Sequence, residues 1–124
     1  MRRLIAAGIL FIFVIVSYVT GFLFIRDTCN TAKEMLESCV SDYKGGKDAK
    51  PKAEELEKYW TKKETTLSAF ADHDEIDEIE LAISTLKVYS STDKGELFDE
   101  YSETVETLLH QLKEDIIPSL HSIF

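Results

Sequence analysis

The residues whose types are most suited to metal binding or catalysis lie between Trp60 and Tyr89, in the stretch WTKKETTLSAFADHDEIDEIELAISTLKVY. Five of its side chains are of types that bind divalent cations: Asp72, His73, Asp74, Asp77 and Glu78. Their spacing matches no Glu-x-x-His repeat, no His-Glu-x-x-His motif and no calcium loop. Carboxylates at the start of a helix are explained by capping and by the helix dipole. We therefore expect neither a metal ion nor a cofactor here.

Lys63 is the residue of this stretch that a plain helical interpretation explains least. At about 100° per residue it falls inside the apolar stripe that contains Trp60 and Leu67. A buried ammonium group needs a carboxylate, and pairing two antiparallel helices about His73 brings Glu80 within reach. We predict a Lys63–Glu80 ion pair. The alternative is that Lys63 buries only its methylene stem and its ammonium group reaches water.

The two cysteines, Cys29 and Cys39, lie ten residues apart on one predicted helix. That spacing separates them by about 15 Å, too far for a disulfide between them. Either they are buried free thiols, or they form an intermolecular disulfide in a homodimer, with Ser17 and Gly21 as a small-xxx-small contact.

The chain has no Gly-x-Ser-x-Gly elbow, Ser-x-x-Lys motif or phosphate-binding glycine loop, so we expect no enzyme activity.

The elements that position these residues begin with an apolar segment, Leu4 to Ile25, which runs for 22 residues without a charged side chain. As a helix it measures about 33 Å, enough to cross the roughly 30 Å hydrocarbon core of a bilayer. A cleavable secretory signal is the alternative, but its apolar region is typically only about 7 to 15 residues long. We predict that residues 1–26 are a transmembrane anchor with a short cytoplasmic start, and that residues 27–124 are extracytoplasmic.

The part of the chain after Arg26 is strongly acidic. It carries 11 lysines against 23 aspartates and glutamates, a net charge of −12, which argues against binding to nucleic acid. Glu100, Glu103 and Glu106 lie on the last predicted helix. We predict that they form an interaction surface for a protein partner in the cell envelope, the alternative being an ordinary solvated helix face.

Apolar periodicity divides the outer region into four helical segments. The first continues from the membrane span and ends at Gly45-Gly46. Pro51 suits the first turn of the second segment, Asp74 would cap the third and Asp93 the fourth, and Pro118 would end or kink the fourth. The predicted apolar faces are, in chain order, Cys29, Ala32, Leu36, Cys39 and Tyr43; Ala53, Leu56, Trp60, Leu67 and Phe70; Ile76, Ile79, Ala82, Ile83, Leu86 and Tyr89; and Leu97, Tyr101, Val105, Leu108, Leu112 and Ile116.

Since no segment shows the alternation of a half-buried strand, the predicted fold is all-α. An N-terminal transmembrane helix is followed by an up-and-down antiparallel bundle of three to four helices, because the predicted connections between them are short.

The stretches YWTKKETTLSAFADH and DEIDEIELAISTLK, together with the N-terminal anchor and the final helix, resemble the bacterial domain of unknown function 4363. This family comprises small membrane proteins of spore-forming Gram-positive bacteria. The resemblance covers essentially the whole chain and centres on Trp60, Lys63, His73, Ile79, Glu80, Ile83 and Leu86. It implies a membrane-anchored helical protein and brings no catalytic residues.

Two classes of function fit these features. The first is a noncatalytic interaction or structural module of the bacterial cell envelope, held in the lipid bilayer by one span. The second is a small-ligand or metal-sensing four-helix domain without its own output domain.

Overall fold

The computed structural model describes the backbone of residues 1–123 and the side chains of residues 1–115. Within this range the chain forms four α-helices and no β-strand. The helices are α1 (Arg2–Lys44), α2 (Lys50–Leu67), α3 (His73–Tyr89) and α4 (Gly95–Ile123). Each helix packs on two neighbours, α1 and α3 both contacting α2 and α4. This is the predicted up-and-down antiparallel bundle.

Helix α1 is uninterrupted for 43 residues, so the apolar segment runs directly into the bundle, as predicted. Almost all side chains of its first twenty residues are exposed, and burial begins at Gly21. By length and composition, α1 is the one helix in the described range that could cross a membrane, although N-terminal signal sequences share these properties. The predicted domain boundary after residue 26 falls within the continuous helix.

The predicted apolar faces of α1, α2 and α3 form the core of the bundle. Their fully buried members include Leu36, Trp60 and Ile83. Trp60 keeps its indole nitrogen satisfied in this core, because Nε1 donates to the backbone oxygen of Ile76 at 3.3 Å. Phe70 belongs to the predicted α2 face, but it lies in the turn after α2 and is 43% exposed.

The predicted face of α4 is rotated from the one that the structure buries. Leu97, Tyr101 and Leu108 are only half-buried. The core positions of α4 are Phe98, Val105, Leu109 and Leu112. The rotation follows from Phe98, whose ring stacks on that of Tyr43 with the centroids 3.8 Å apart. Ile116, the last residue of the predicted face, lies beyond the described side chains.

Two helix starts differ from the predicted caps. Asp72, not Asp74, is the N-cap of α3: it has extended backbone angles, and its Oδ1 accepts a hydrogen bond from the amide of Asp74 at 3.0 Å. Helix α4 begins at Gly95, two residues after Asp93. It continues past Pro118 to Ile123, so Pro118 does not end it.

The bundle has two ends. The end that is nearer to the exposed apolar segment of α1 is called the near end. It comprises the turn of residues 68–72, the start of α3 and the part of α4 around Asp115, all of which lie beside Gly21 and Ile25. The far end comprises the loops of residues 45–49 and 90–94. At the far end Gly46 adopts a φ of 78°, a conformation suited to glycine, where the chain leaves α1.

Candidate functional site

A cavity of about 430 Å³ opens at the near end of the bundle. One wall is apolar and is formed by α1, the α2–α3 turn and α4, through Tyr18, Phe22, Ile25, Phe70 and Leu112. Three carboxyl groups complete the lining: Asp72, Glu75 and Asp115. A cavity with an apolar wall and a few polar groups on one side is the usual form of a small-molecule site.

Close contact between Phe70 and Gly21 forms one boundary of this cavity. The ring of Phe70 lies so near the α1 backbone that a Cβ added to Gly21 would collide with it. Gly21 is therefore needed for packing within one chain. Its predicted small-xxx-small contact with a second copy, through Ser17, competes with the ring of Phe70 for the same surface.

Two carboxyl groups from different helices meet at the cavity. Glu75 of α3 faces Asp115 of α4, and the hydrogen bond between them, followed by burial, raises the pKa of Glu75 to about 7. Repulsion from Asp115, Asp72 and Glu78 acts in the same direction. Because two adjacent carboxylates repel, the pair keeps a shared proton until the solution is near neutral.

A second carboxyl pair lies between α2 and α3. Oε1 of Glu64 is inaccessible to solvent and reaches no donor among the described residues unless one carboxyl group is protonated. Burial, then a hydrogen bond to Glu80, raises the pKa of Glu64 to about 7. Asp77 adds to the repulsion, whereas His73 opposes it.

The predicted partner of Lys63 is therefore occupied by another residue. Lys63 is half-buried, and its Nζ lies 5.6 Å from the ring centroids of both Phe24 and Tyr59. The ion pairs found in residues 1–115 do not include Lys63 and Glu80. An ammonium group near two aromatic rings is a favourable cation–π geometry, which neither the predicted pair nor the alternative with the group in water includes.

Both cysteines are free thiols inside the core, with exposures of 2% for Cys29 and 0% for Cys39. Burial raises the pKa of Cys29 to about 12 and that of Cys39 to about 11. Sγ of Cys39 lies 3.6 Å from the carbonyl oxygen of Ala49, to which it donates. This is the placement of the first alternative, buried free thiols, and the intermolecular disulfide stays a prediction.

The predicted acidic surface on α4 is exposed. Glu100, Glu103 and Glu106 all face solvent, and Oε1 of Glu106 lies 3.9 Å from Nζ of Lys33. In the acidic stretch of residues 72–78, where no metal ion is expected, Nε2 of His73 lies 3.3 Å from Oδ2 of Asp77. The described residues contain no group of three or more His, Cys, Asp or Glu side chains arranged to hold a metal ion.

Neither the cavity nor the two carboxyl pairs are among the features predicted from the sequence. For Glu64 the sequence holds one signal, its position directly after Lys63. Neighbouring residues of a helix point 100° apart, so the rotation of α2 about its axis decides whether Lys63 or Glu64 faces Glu80. The Glu75–Asp115 pair had no local signal, since its members lie 40 residues apart on different helices.

The family model described as Domain of unknown function (DUF4363) matches residues 22–123. The matched region begins at Phe22, in the α1 wall of the cavity, and includes the whole of α2 and α3. No curated protein and no solved structure matches the chain.

Proposed function

The chain belongs to the family of the domain of unknown function (DUF4363), and from this premise we propose that it is a noncatalytic interaction or structural module of the bacterial cell envelope. Residues 1–26 anchor it in the cell membrane with the N-terminus in the cytoplasm. The bundle lies on the extracytoplasmic side and binds an envelope protein.

The observation that carries this proposal is the division of α1 into two surfaces. Its first twenty residues expose almost only apolar side chains, including Phe11, Phe13 and Val14. The remainder supplies one side of the bundle core without a break in the helix. An exposed apolar surface of this length is typical of a segment in lipid, and a bundle with a charged outer surface is typical of a domain in water.

The acidic face of α4 supports a protein partner as the ligand of the bundle. Glu100 and Glu103 are exposed and form no ion pair within residues 1–115. A surface of one charge sign steers a partner of opposite sign and sets specificity. The partner is therefore expected to present a basic surface.

Anchoring is tested by extracting membranes with alkaline carbonate and by treating intact spheroplasts with protease. The proposal requires that the chain stays in the carbonate pellet and that protease removes residues beyond Arg26. Release of a mature chain that starts near Cys29 would show instead that the apolar segment is a cleaved signal.

The partner is tested by crosslinking in native membranes. Combined reversal of Glu100, Glu103 and Glu106 to lysine is expected to abolish the crosslinked product. The matched control reverses Glu34 and Glu37, two exposed acids of α1, and should retain it. Equal retention by both variants would contradict the assigned surface.

The cavity favours a second function, small-ligand sensing by a domain without its own output. Its volume of about 430 Å³ is sufficient for a small molecule, and its carboxyl groups would select a cationic one. A thermal-shift screen of the full chain against metal ions and small organic amines tests this function. Absence of stabilisation by any of them would remove it.

A further inference from the structure

We propose that the α2–α3 turn is a second membrane contact, with Phe70 in the outer lipid interface and bilayer lipid filling the cavity between the turn and α1. This inference rests on the proposed function, since it requires α1 to cross a bilayer. The ligand of the near end is then the lipid that surrounds the membrane-spanning part of α1.

The depth of the turn follows from the contact between Phe70 and Gly21. Gly21 lies seventeen residues after Leu4, about 26 Å along a helix, within the roughly 30 Å hydrocarbon core that begins at Leu4. Arg26, the first charged residue after the apolar segment, comes five residues later. The tip of the turn therefore reaches the level at which hydrocarbon gives way to headgroups.

The composition of the turn suits this depth. No charged side chain occurs in the seven residues from Thr65 to Ala71, although the chain after Arg26 is rich in charge. Phe70 and Ala69 are nevertheless exposed in the protein, Phe70 by 43%. The one charged side chain of the turn of residues 68–72 is Asp72, at its end. An exposed aromatic side chain at the tip of such a turn is stabilised more by lipid than by water.

Neighbouring residues at the same level form the pattern of a membrane interface. Tyr18, Phe22 and Phe24 of α1 are half-buried and surround the position of Gly21. The Nζ of Lys63 lies 5.6 Å from the centroid of the Phe24 ring. Aromatic rings and extended lysine side chains are enriched where a protein crosses the boundary between lipid and water.

Lipid is favoured over a second protein because of where the cavity opens. Its wall includes Ser17, Tyr18 and Phe22, and these residues continue directly from the exposed apolar surface of the first part of α1. The lipid that solvates that surface in a bilayer is thus adjacent to the cavity opening. The carboxyl groups of Glu75 and Asp115 lie on the polar side of the same cavity.

The test uses the full chain in vesicles of phosphatidylethanolamine and phosphatidylglycerol that contain a nitroxide-labelled lipid as quencher. The variant Phe70→Trp places a fluorophore at the turn, and Val88→Trp is the matched control at an exposed position of α3 near the far end. The unaltered chain, whose Trp60 is fully buried, gives the baseline. Aqueous iodide is the second quencher.

We expect the nitroxide lipid to remove most of the emission added by Phe70→Trp and little of that added by Val88→Trp. Iodide should have the opposite selectivity. A second variant, Phe70→Ser, should accelerate amide hydrogen exchange in residues 65–75 of the vesicle-bound chain, whereas Val88→Ser should not.

Carbonate extraction of the same vesicles distinguishes failure of the membrane anchor from failure of the second membrane contact. If the chain is extracted, the anchor and the proposed function fail. If the chain is retained but Phe70→Trp is quenched by iodide as strongly as Val88→Trp, the turn lies in water and this inference alone is overturned. Shielding of Phe70→Trp from both quenchers would show that protein covers the turn, which also overturns it.

Discussion

The near and far ends of the bundle are held together by different kinds of side-chain contact. At the far end, Tyr43 stacks on Phe98 and donates its hydroxyl to the carbonyl oxygen of Thr92 at 3.1 Å. At the near end, Glu75 and Asp115 meet as groups of like charge beside an open cavity. The far end also carries an open cavity, of about 560 Å³, but it is held by complementary contacts, whereas the near end depends on protons and on whatever occupies its own cavity.

This difference separates the structural part of the molecule from its responsive part. A stacked aromatic pair with a satisfied hydroxyl has one low-energy arrangement and is insensitive to the medium. Glu64 and Glu75, whose pKa values are raised to about 7, change their charge in the physiological range. We therefore expect substitutions at the far end to change stability and those at the near end to change its dependence on conditions.

The largest expected effect comes from Phe98→Ala. Removal of this fully buried ring should lower the free energy of unfolding by about 3 to 5 kcal/mol, because it leaves a cavity and exposes Tyr43. The near-end counterpart, Phe70→Ala, should cost less than about 1 kcal/mol in detergent micelles, since its ring is 43% exposed. Denaturant unfolding followed by circular dichroism measures both. Equal losses would remove the distinction between the two ends.

The raised pKa values of Glu75, at the near end, and of Glu64, between α2 and α3, should make stability fall as the pH rises. Glu64 and Glu75 have pKa values of about 7 in the folded chain against an ordinary value of 4.5, so the folded state holds more protons between these values. The stabilisation is complete below about pH 4.5 and is lost as the pH passes through about 7. After allowance for solvent screening, the loss is about 1 kcal/mol for each pair.

Glu64→Gln should flatten this slope, because an amide donates a hydrogen bond to Glu80 at any pH. Melting temperatures recorded from pH 5 to pH 8 measure the change. Glu55→Gln, at an exposed position of the same helix, serves as the control and should leave the slope as it is. A slope that persists in both Glu64→Gln and Glu75→Gln would contradict the assignment.

An ion pair between α2 and α3 should give stability the opposite dependence on pH. Nζ of Lys87 lies 2.9 Å from Oε1 of Glu57, whose Oε2 also accepts from Ser84 at 2.9 Å. The hydrogen bond from Lys87 lowers the pKa of Glu57, so this stabilisation is present above the unfolded pKa and lost in acid. Lys87→Met should lower the free energy of unfolding at pH 7 and lower it less at acid pH, as measured by chemical denaturation. An equal cost at both pH values would refute this assignment.

The smallest expected effect concerns the cysteines. In the folded chain Cys29 and Cys39 should both resist a maleimide reagent, because they are buried and burial raises their pKa values. Mass spectrometry before and after addition of denaturant measures the labelling. Non-reducing electrophoresis should show only a monomer, and a covalent dimer of the folded protein would indicate that the bundle opens at α1.

The sequence allowed the helices and most of the core to be predicted, because the apolar spacing of α1 and α3 admits one face. On α4 two overlapping stripes exist, and the choice between Leu97 and Phe98 depends on Tyr43, which lies 55 residues earlier. The partner of Glu80 depended in the same way on the rotation of α2. Element type is thus encoded locally, whereas the rotation of each helix is decided by contacts with other helices.

The absence of a joint in α1 means that the bundle has no freedom to reorient independently of the proposed anchor. From Arg26 to Lys44 the helix extends about 27 Å, so an inclination of roughly 20° from the membrane normal would displace its upper end sideways by about 9 Å. The acidic face of α4 would swing with it. Local bilayer thickness, which sets the inclination of a span, would then govern the direction in which this face points.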